Sequence, residues 1–239
     1  MVSYRAGTME GITREANADR RDFQGIATPP TASAPGTCAI DKPPRHANLP
    51  ADSIPAERPP PVFAALHRRR ERRAAALAAY TSIVERAREP TFYLGWGVPD
   101  TLDGRFEVLA LHIFLVLNRL KGEANEAAVF AQELFDTMFG DLDSTLREMG
   151  AGDLGVGRRV QAMAKGLYGR IAAYERGLGD EAEMAAALRR NLFGTAAASP
   201  AQLAAFSDYV RRQVAVLAAQ PVTRLIVGAV AFAPLEASG

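Results

Sequence analysis

The sequence predicts an all-α fold, a compact bundle of five to six helices that follows a disordered N-terminal tail. Apolar residues recur at helical spacing from residue 77 onward, and strand-like alternation is largely absent. Ten of the 15 prolines lie within residues 1–61, where no apolar period is sustained. We therefore expect a tail at 1–61 and one helical domain at 62–239.

The first predicted helix begins after Pro61 and ends near Pro90. One face is defined by residues spaced three and four apart: Leu77, Tyr80, Val84 and Ala87. Its early turns carry a dense basic run: Arg68, Arg69, Arg70, Arg72 and Arg73. At about 100° per residue, three of these share the side of Leu77, namely Arg69, Arg70 and Arg73, while the other two face away.

Arginine on every side of this helix means that its early turns cannot be buried. We therefore expect the helix to project, with packing beginning near Leu77. A projecting basic surface suits the phosphates of RNA or of anionic lipid, and a solubilising flank is the alternative.

A polar loop is predicted at 91–102, and three more helices are predicted after it. The second helix runs from an N-cap at Asp103 to about Lys121, and its apolar run at 108–117 is typical of a buried centre. The third spans about 124–149. The fourth has the most regular apolar stripe in the chain: Val160, Met163, Leu167, Ile171, Tyr174 and Leu178.

The C-terminal part is predicted as two helices and an extended end. A short helix is expected near 181–193 and a longer one from Pro200 to Gln220, with Ser199 as its N-cap. Residues 225–235 form an apolar run that fits a short extended piece. Eleven helical residues cover only about 16 Å, against the roughly 30 Å of a bilayer core, so no membrane span is predicted.

Charge is segregated along a chain whose formal net charge is only +1. Residues 62–89 carry 7 basic and 3 acidic groups, whereas 100–153 carry 4 and 11. The near-zero net charge argues against a protein that coats nucleic acid through its overall charge, and we expect no sequence-specific nucleic-acid partner. The single cysteine, Cys38, excludes an intramolecular disulfide and a Cys-rich zinc site. No export signal is readable, and a cytoplasmic location is expected.

Two patterns that could carry chemistry have simpler interpretations. Residues 150–155 match GxGxxG but follow a helix, which favours an interhelical turn over a dinucleotide site. A metal-binding cluster is conceivable at four acidic positions, although a solvated face is the simpler interpretation: Glu133, Asp136, Asp141 and Asp143. We predict no catalytic residue, no metal site and no cofactor.

A histidine and an aromatic loop leave alternatives open. His112 lies within the buried second helix, where it could ligate haem, although a hydrogen-bonded core histidine is the commoner case. The loop places Phe92, Tyr93 and Trp96 within five positions. These rings either pack down as a lid on the core or anchor a partner.

Several stretches, taken together and in order, resemble the ubiquinol–cytochrome c chaperone family. The resemblance covers about residues 74–195 well and the rest of the C-terminus loosely, and 1–61 has no counterpart in it. The stretches that carry it are Arg88–Tyr93, Gly97–Phe106, Leu111–Leu117, Leu134–Asp136, Leu146–Gly157 and Leu167–Arg170.

The resemblance implies a non-enzymatic assembly factor for the complex that oxidises ubiquinol and reduces cytochrome c. Implied partners are immature cytochrome b or a nascent membrane subunit. The ribosome and the anionic surface of the inner membrane are the alternative targets expected for the basic helix from its charge. Besides the five arginines, the expected partner-binding residues are Phe92, Tyr93, Trp96, Asp100, Asp103 and Arg105. The alternatives are a haem- or quinone-handling protein that uses His112, and an all-α enzyme with a carboxylate metal site.

Residues 1–61 are expected to be dispensable, because the composition changes abruptly at Pro61. The stretch Val62–Leu66 occupies the place where family members usually begin. Valine can be encoded by GTG, which bacteria also use as a start codon, so an upstream start could have been assigned in error.

Overall fold

The computed structural model describes residues 61–123, 125–148, 153–194 and 196–235. Within these ranges the chain is all-α and contains no strand, which confirms the predicted fold class. The helices are α1 (Pro61–Ala87), α2 (Leu102–Leu120), α3 (Asn125–Glu148), α4 (Asp153–Gly177), α5 (Glu181–Leu188), α6 (Pro200–Ala218) and the single turn α7 (Val222–Leu225). The expectation for the tail at 1–61 lies outside the described residues except at Pro61.

The central element is α2, as its apolar run predicts. Residues 110–116 are all buried, and α2 packs against α1, α3, α4 and α6. Contact with four other helices buries the central turns of α2 on all sides, which explains the apolar composition of that run. None of the helices in the described ranges combines the length and the apolarity needed to cross a membrane.

The face of α1 that meets the core is made of three alanines and two large residues. The buried positions there are Ala76, Ala79, Tyr80, Ile83 and Ala87. The prediction that Leu77 belongs to the buried face is wrong, since its side chain is 57% exposed, and Val84 is only half-buried. Alanines on the buried face let neighbouring backbones come close; a Cβ added at Gly228 would lie 2.5 Å from the carbonyl oxygen of Ala75.

Helices α1 and α3 run parallel to each other in a register that two contacts define. Near the start of the pair, Arg73 Nε lies 3.8 Å from a carboxylate oxygen of Glu133. Two turns further on, the Tyr80 hydroxyl donates to Asp141 at 2.8 Å. This pairing brings the acidic helix against the basic one.

Helix ends follow local capping chemistry with one departure from expectation. Thr101, not Asp103, is the N-cap of α2, because the Thr101 hydroxyl oxygen accepts a hydrogen bond from Gly104 N at 3.1 Å. Asp103 instead lies in the first turn. The predicted cap of α6 is confirmed, since Ser199 and Gln202 form a reciprocal capping box.

The segments between helices include two features that the periodicity did not indicate. Single π-helical turns occur at Thr91–Gly95, within the predicted loop, and at Arg189–Phe193, at the end of the predicted short helix. Residues 226–235 follow α7 without regular structure. This C-terminal segment, called the strap below, runs along α6 in the opposite direction and packs against the core.

Candidate functional site

A groove of about 1240 Å³ opens on one side of the helical body. The second half of α1, the first half of α2, the end of α3, part of α4 and the turn Arg189–Phe193 line it. Most of the contact surface is apolar, and its main side chains are Val84, Phe106, Leu109, Leu142, Leu146 and Met163. Pockets for drug-sized ligands usually occupy about 300–1,000 Å³, so the groove has room for a larger occupant.

One lip of the groove is the junction between the aromatic loop and α2. Arg105 Nε donates to one oxygen of Asp100 at 2.6 Å, and Nη2 donates to the other at 3.2 Å. The hydrogen bond from Arg105 lowers the pKa of the Asp100 carboxyl. The Arg105 guanidinium also lies 5.6 Å from the centre of the Tyr93 ring. Three of the residues predicted to bind a partner therefore meet at this lip.

The floor carries an ion pair that joins α2 to α4. Arg170 Nε donates to Glu107 Oε2 at 2.6 Å, and Arg170 Nη2 donates to Glu107 Oε1. Glu107 is buried, and the hydrogen bond to it raises the pKa of Arg170. The Arg170 guanidinium lies 5.4 Å from the ring centre of Phe106. Because the two residues are 63 positions apart, no local pattern indicates their pairing.

Two uncommitted polar groups lie beside this ion pair. The Tyr174 hydroxyl and the Asn191 amide nitrogen are buried and make no hydrogen bond within the described residues. Burial raises the pKa of Tyr174, and the nearby Asn191 side chain acts against that rise. Asn191 also lines the groove, while its amide nitrogen points into the body beside Tyr174.

Two arginines on the rim complete the charge pattern of the groove. Arg88 and Arg190 are exposed, line the groove and have no carboxylate within ion-pair distance among the described residues. Asp103 is exposed at the same rim. The charged groups at the floor compensate each other, whereas these rim groups are available to a partner.

The residues of the aromatic loop occupy different environments: some pack on the core, one lines the groove and one is exposed. Phe92 and Trp96 are buried and pack edge-to-face at 5.4 Å, so they form a lid on the core. Tyr93 is half-buried in the groove wall, and its hydroxyl donates to the Ala87 carbonyl at 2.6 Å. Leu94, which the sequence analysis did not single out, is 87% exposed at the tip of the turn.

His112 is fully buried and both of its ring nitrogens are engaged. With the proton on Nδ1, the ring donates to the Val108 carbonyl at 2.7 Å, and Nε2 accepts from the Tyr209 hydroxyl at 2.6 Å. Burial lowers the pKa of His112 to about 4, so the ring is neutral. No nitrogen lone pair is left for iron, and this geometry favours a core histidine over a haem ligand.

The arginine run lies on the exposed N-terminal part of α1, since residues 65–74 are all exposed. Arg72 stands four residues before Ala76 and continues the line of Ala76, Ala79 and Ile83, the face that the core buries further along. Arg72 therefore lies on the side of Ala76 and not on the side of Leu77. The core simply ends before the helix does, which leaves Arg72 uncovered.

The four acidic residues considered for metal binding each have a separate neighbour. Glu133 lies near Arg73, Asp141 accepts from Tyr80, and the last two pair within α3, Asp136 with Gln132 and Asp143 with Arg147. No group of three metal-ligating side chains occurs in the part of the chain that the structure describes. This arrangement favours a solvated acidic face.

The glycine pattern at 150–155 lies mostly outside the described residues. Helix α3 ends at Glu148 and α4 begins at Asp153, and residues 149–152 between them are not described. Residues 125–148 before the pattern are helical, and a dinucleotide site requires a strand there.

Comparison with known proteins points to one family. The family model described as ubiquinol-cytochrome C chaperone matches residues 95–232. A relative from Homo sapiens, named ubiquinol-cytochrome c reductase complex assembly factor 1, is 31% identical over 163 residues, which are 67% of this chain and 54% of the relative. The factor of the same name from Xenopus laevis is 32% identical over 141 residues, 59% of this chain and 70% of that one.

A solved structure shares the fold. The crystal structure of the Cbp3 homolog from Brucella abortus is 36% identical, covers 72% of this chain and 97% of that chain, and superposes with a TM-score of 0.64. The matched region covers 48% of the length of the factor of the same name from Mus musculus and 70% of the length of the Xenopus laevis factor. The groove residues from Pro99 onward fall within the matched region 95–232, whereas Tyr80, Val84, Ala87, Arg88 and Tyr93 precede it.

Proposed function

The chain belongs to the ubiquinol-cytochrome c chaperone family, and from that premise we propose that it is a non-enzymatic assembly factor for ubiquinol–cytochrome c reductase. Its client is an incomplete membrane subunit, immature cytochrome b, and the groove is the surface that holds a segment of it. The observation that carries the proposal is the open groove of about 1240 Å³ with apolar walls and unpaired charges at its rim.

Each part of the groove has a role in holding an unfinished client. The apolar walls cover residues that the finished subunit buries, since burial of apolar surface is the main favourable term in such binding. The rim arginines, Arg88 and Arg190, hydrogen-bond to carbonyls and carboxylates that a segment exposes before it folds. No chemical step is required.

Release follows from differential binding. The factor binds a segment only while that segment is exposed, so folding or cofactor insertion in the client removes the bound surface and shifts the equilibrium toward the free factor. The acidic side chain of Asp103 at the rim favours the positively charged cytoplasmic loops that are typical of membrane proteins.

The proposal is tested by pull-down from native membranes together with the level of cytochrome b in a deletion strain. We expect cytochrome b to co-purify with the factor and to fall when the gene is deleted. Unchanged cytochrome b and intact ubiquinol oxidation in the deletion strain would contradict the proposal. Complementation by residues 62–239 tests in the same strain whether 1–61 are dispensable, as we propose.

A pair of variants on one helix tests the groove itself. Leu142→Gln places a polar side chain in the groove wall, whereas Val129→Gln makes the same class of change at an exposed position of α3 outside it. We expect the first to weaken co-purification of the client about tenfold, the cost of roughly one apolar contact, and the second to leave it unchanged. Equal effects would place the client elsewhere.

A further inference from the structure

We propose that the N-terminal half of α1 is a docking surface for an anionic lipid bilayer. The surface, called the basic stripe below, consists of Leu66, Arg69, Arg70, Arg73 and Leu77. It precedes, along the chain, the groove residues Tyr80, Val84, Ala87 and Arg88. Docking and client binding can therefore be tested apart.

The stripe is a continuous exposed face of the helix. Its positions are separated by three and four residues, which places them within an arc of about 100°. All five side chains are exposed, and the two leucines at its ends have exposed fractions of 47% for Leu66 and 57% for Leu77. The stripe therefore offers cationic groups to lipid phosphates and two apolar side chains to the headgroup–acyl boundary.

The side of α1 that carries the stripe is more basic than the side across the helix. Glu71 is the one acidic residue between positions 65 and 79, it lies across the helix from the stripe, and its carboxylate is 3.2 Å from His67. Arg69 and Arg70 have no carboxylate within ion-pair distance among the described residues, whereas Arg73 lies 3.8 Å from Glu133. The attraction to phosphate therefore rests mainly on Arg69 and Arg70.

Lipid accounts for the stripe better than RNA does. Proteins that bind single-stranded RNA combine basic residues with aromatic rings on which bases stack, and the five residues of the stripe include no aromatic ring. Exposed leucines gain nothing from a phosphate backbone in water, but they gain from entering the acyl boundary of a bilayer. The long stems of arginine cover apolar surface while their guanidinium groups reach the headgroups.

The test is flotation of the full 239-residue chain with phosphatidylcholine vesicles, with and without phosphatidylglycerol. We expect binding only to the anionic vesicles, weakened by salt. Removal of two arginines in R69Q/R70Q should weaken binding about 25-fold, since each basic residue near such a surface contributes about fivefold. R68Q/R72Q changes the same charge on the same helix outside the stripe and should cost less.

The apolar ends and the competing partner are tested with the same protein. L66S/L77S should abolish the binding that persists at high salt, and Leu142→Gln in the groove should leave vesicle binding intact. Equal losses in the two double-arginine variants would overturn the stripe. Unchanged vesicle binding of R69Q/R70Q, with loss of binding to purified ribosomes, would also overturn it and identify RNA as the target. Thermal melting of each variant confirms that it is folded.

Discussion

Gln213 and Ala233 exchange two hydrogen bonds that fasten the strap to α6. The Gln213 amide Nε2 donates to the Ala233 carbonyl at 3.2 Å, and the Ala233 backbone N donates to Gln213 Oε1 at 2.8 Å. Gln220 binds Ala231 in the same way, at 2.7 and 3.0 Å. Two glutamine side chains thus supply the pairing that a neighbouring strand would otherwise give, which satisfies the backbone of an irregular segment.

Gln213→Leu should detach the strap. Gln213 is fully buried, and its loss leaves the backbone groups of Ala233 without partners, so the free energy of unfolding should fall by about 1–3 kcal/mol. Hydrogen exchange at Ala231 and Ala233 should accelerate. Gln132→Leu removes an exposed bond to Asp136 and serves as the control, in which strap exchange stays slow. Slow exchange in Gln213→Leu would show that Phe232 and its neighbours hold the strap alone.

His112 should make the protein less stable as the pH falls below about 6.5. Its pKa is lowered to about 4 in the folded state, so the unfolded chain takes up the proton first. The stabilisation is fully present above the unfolded pKa and is lost between about 6.5 and 4, up to about 3 kcal/mol. Chemical denaturation across this range should show a slope that His112→Asn flattens. The same slope in both proteins would assign the effect to other groups.

Leu167→Ala should cost about 2–5 kcal/mol, because the side chain is fully buried in the middle of α4. Leu178 belongs to the same predicted stripe, but it lies after the end of α4 and is 38% exposed. We therefore expect Leu178→Ala to cost less than about 1 kcal/mol. Urea denaturation of both variants measures the difference. Equal costs would mean that α4 packs differently from the arrangement described above.

Helical periodicity predicted the elements, while contacts distant in sequence decided the site. The apolar run of α2 and the cap at Ser199 depend on neighbours a few residues away, which a sequence displays directly. The phase of α1 was misjudged because leucine outweighs alanine in a hydrophobic pattern, although close packing selects alanine. The Glu107–Arg170 pair joins positions 63 apart and has no local signal.

The Glu107–Arg170 pair should be costly to break from either side. Glu107→Gln leaves the Arg170 guanidinium without a counter-charge in the groove floor, and we expect a loss of about 3 kcal/mol. Arg170→Met leaves a buried carboxylate and should cost a similar amount. The double variant Glu107→Gln/Arg170→Met should cost less than the sum, which a double-mutant cycle measures. Additive costs would show that the two side chains do not interact.

Two glycines should respond to alanine in opposite directions. At Gly104 an added Cβ would lie 2.0 Å from the Pro99 carbonyl oxygen, so Gly104→Ala should push the loop off α2 and destabilise the groove lip by several kcal/mol, more than the usual range of about 0.5–3 kcal/mol. At Gly140, inside α3, nothing lies within 4 Å of the added Cβ, and alanine should stabilise the protein by about 1 kcal/mol through its higher helix propensity.

Thermal melting of the two glycine variants measures these opposite effects on stability. Client binding should fall only for Gly104→Ala, because Gly104 lines the groove and Gly140 does not. A stable Gly104→Ala variant with normal client binding would mean that the close contact between the loop and α2 is not needed for the groove.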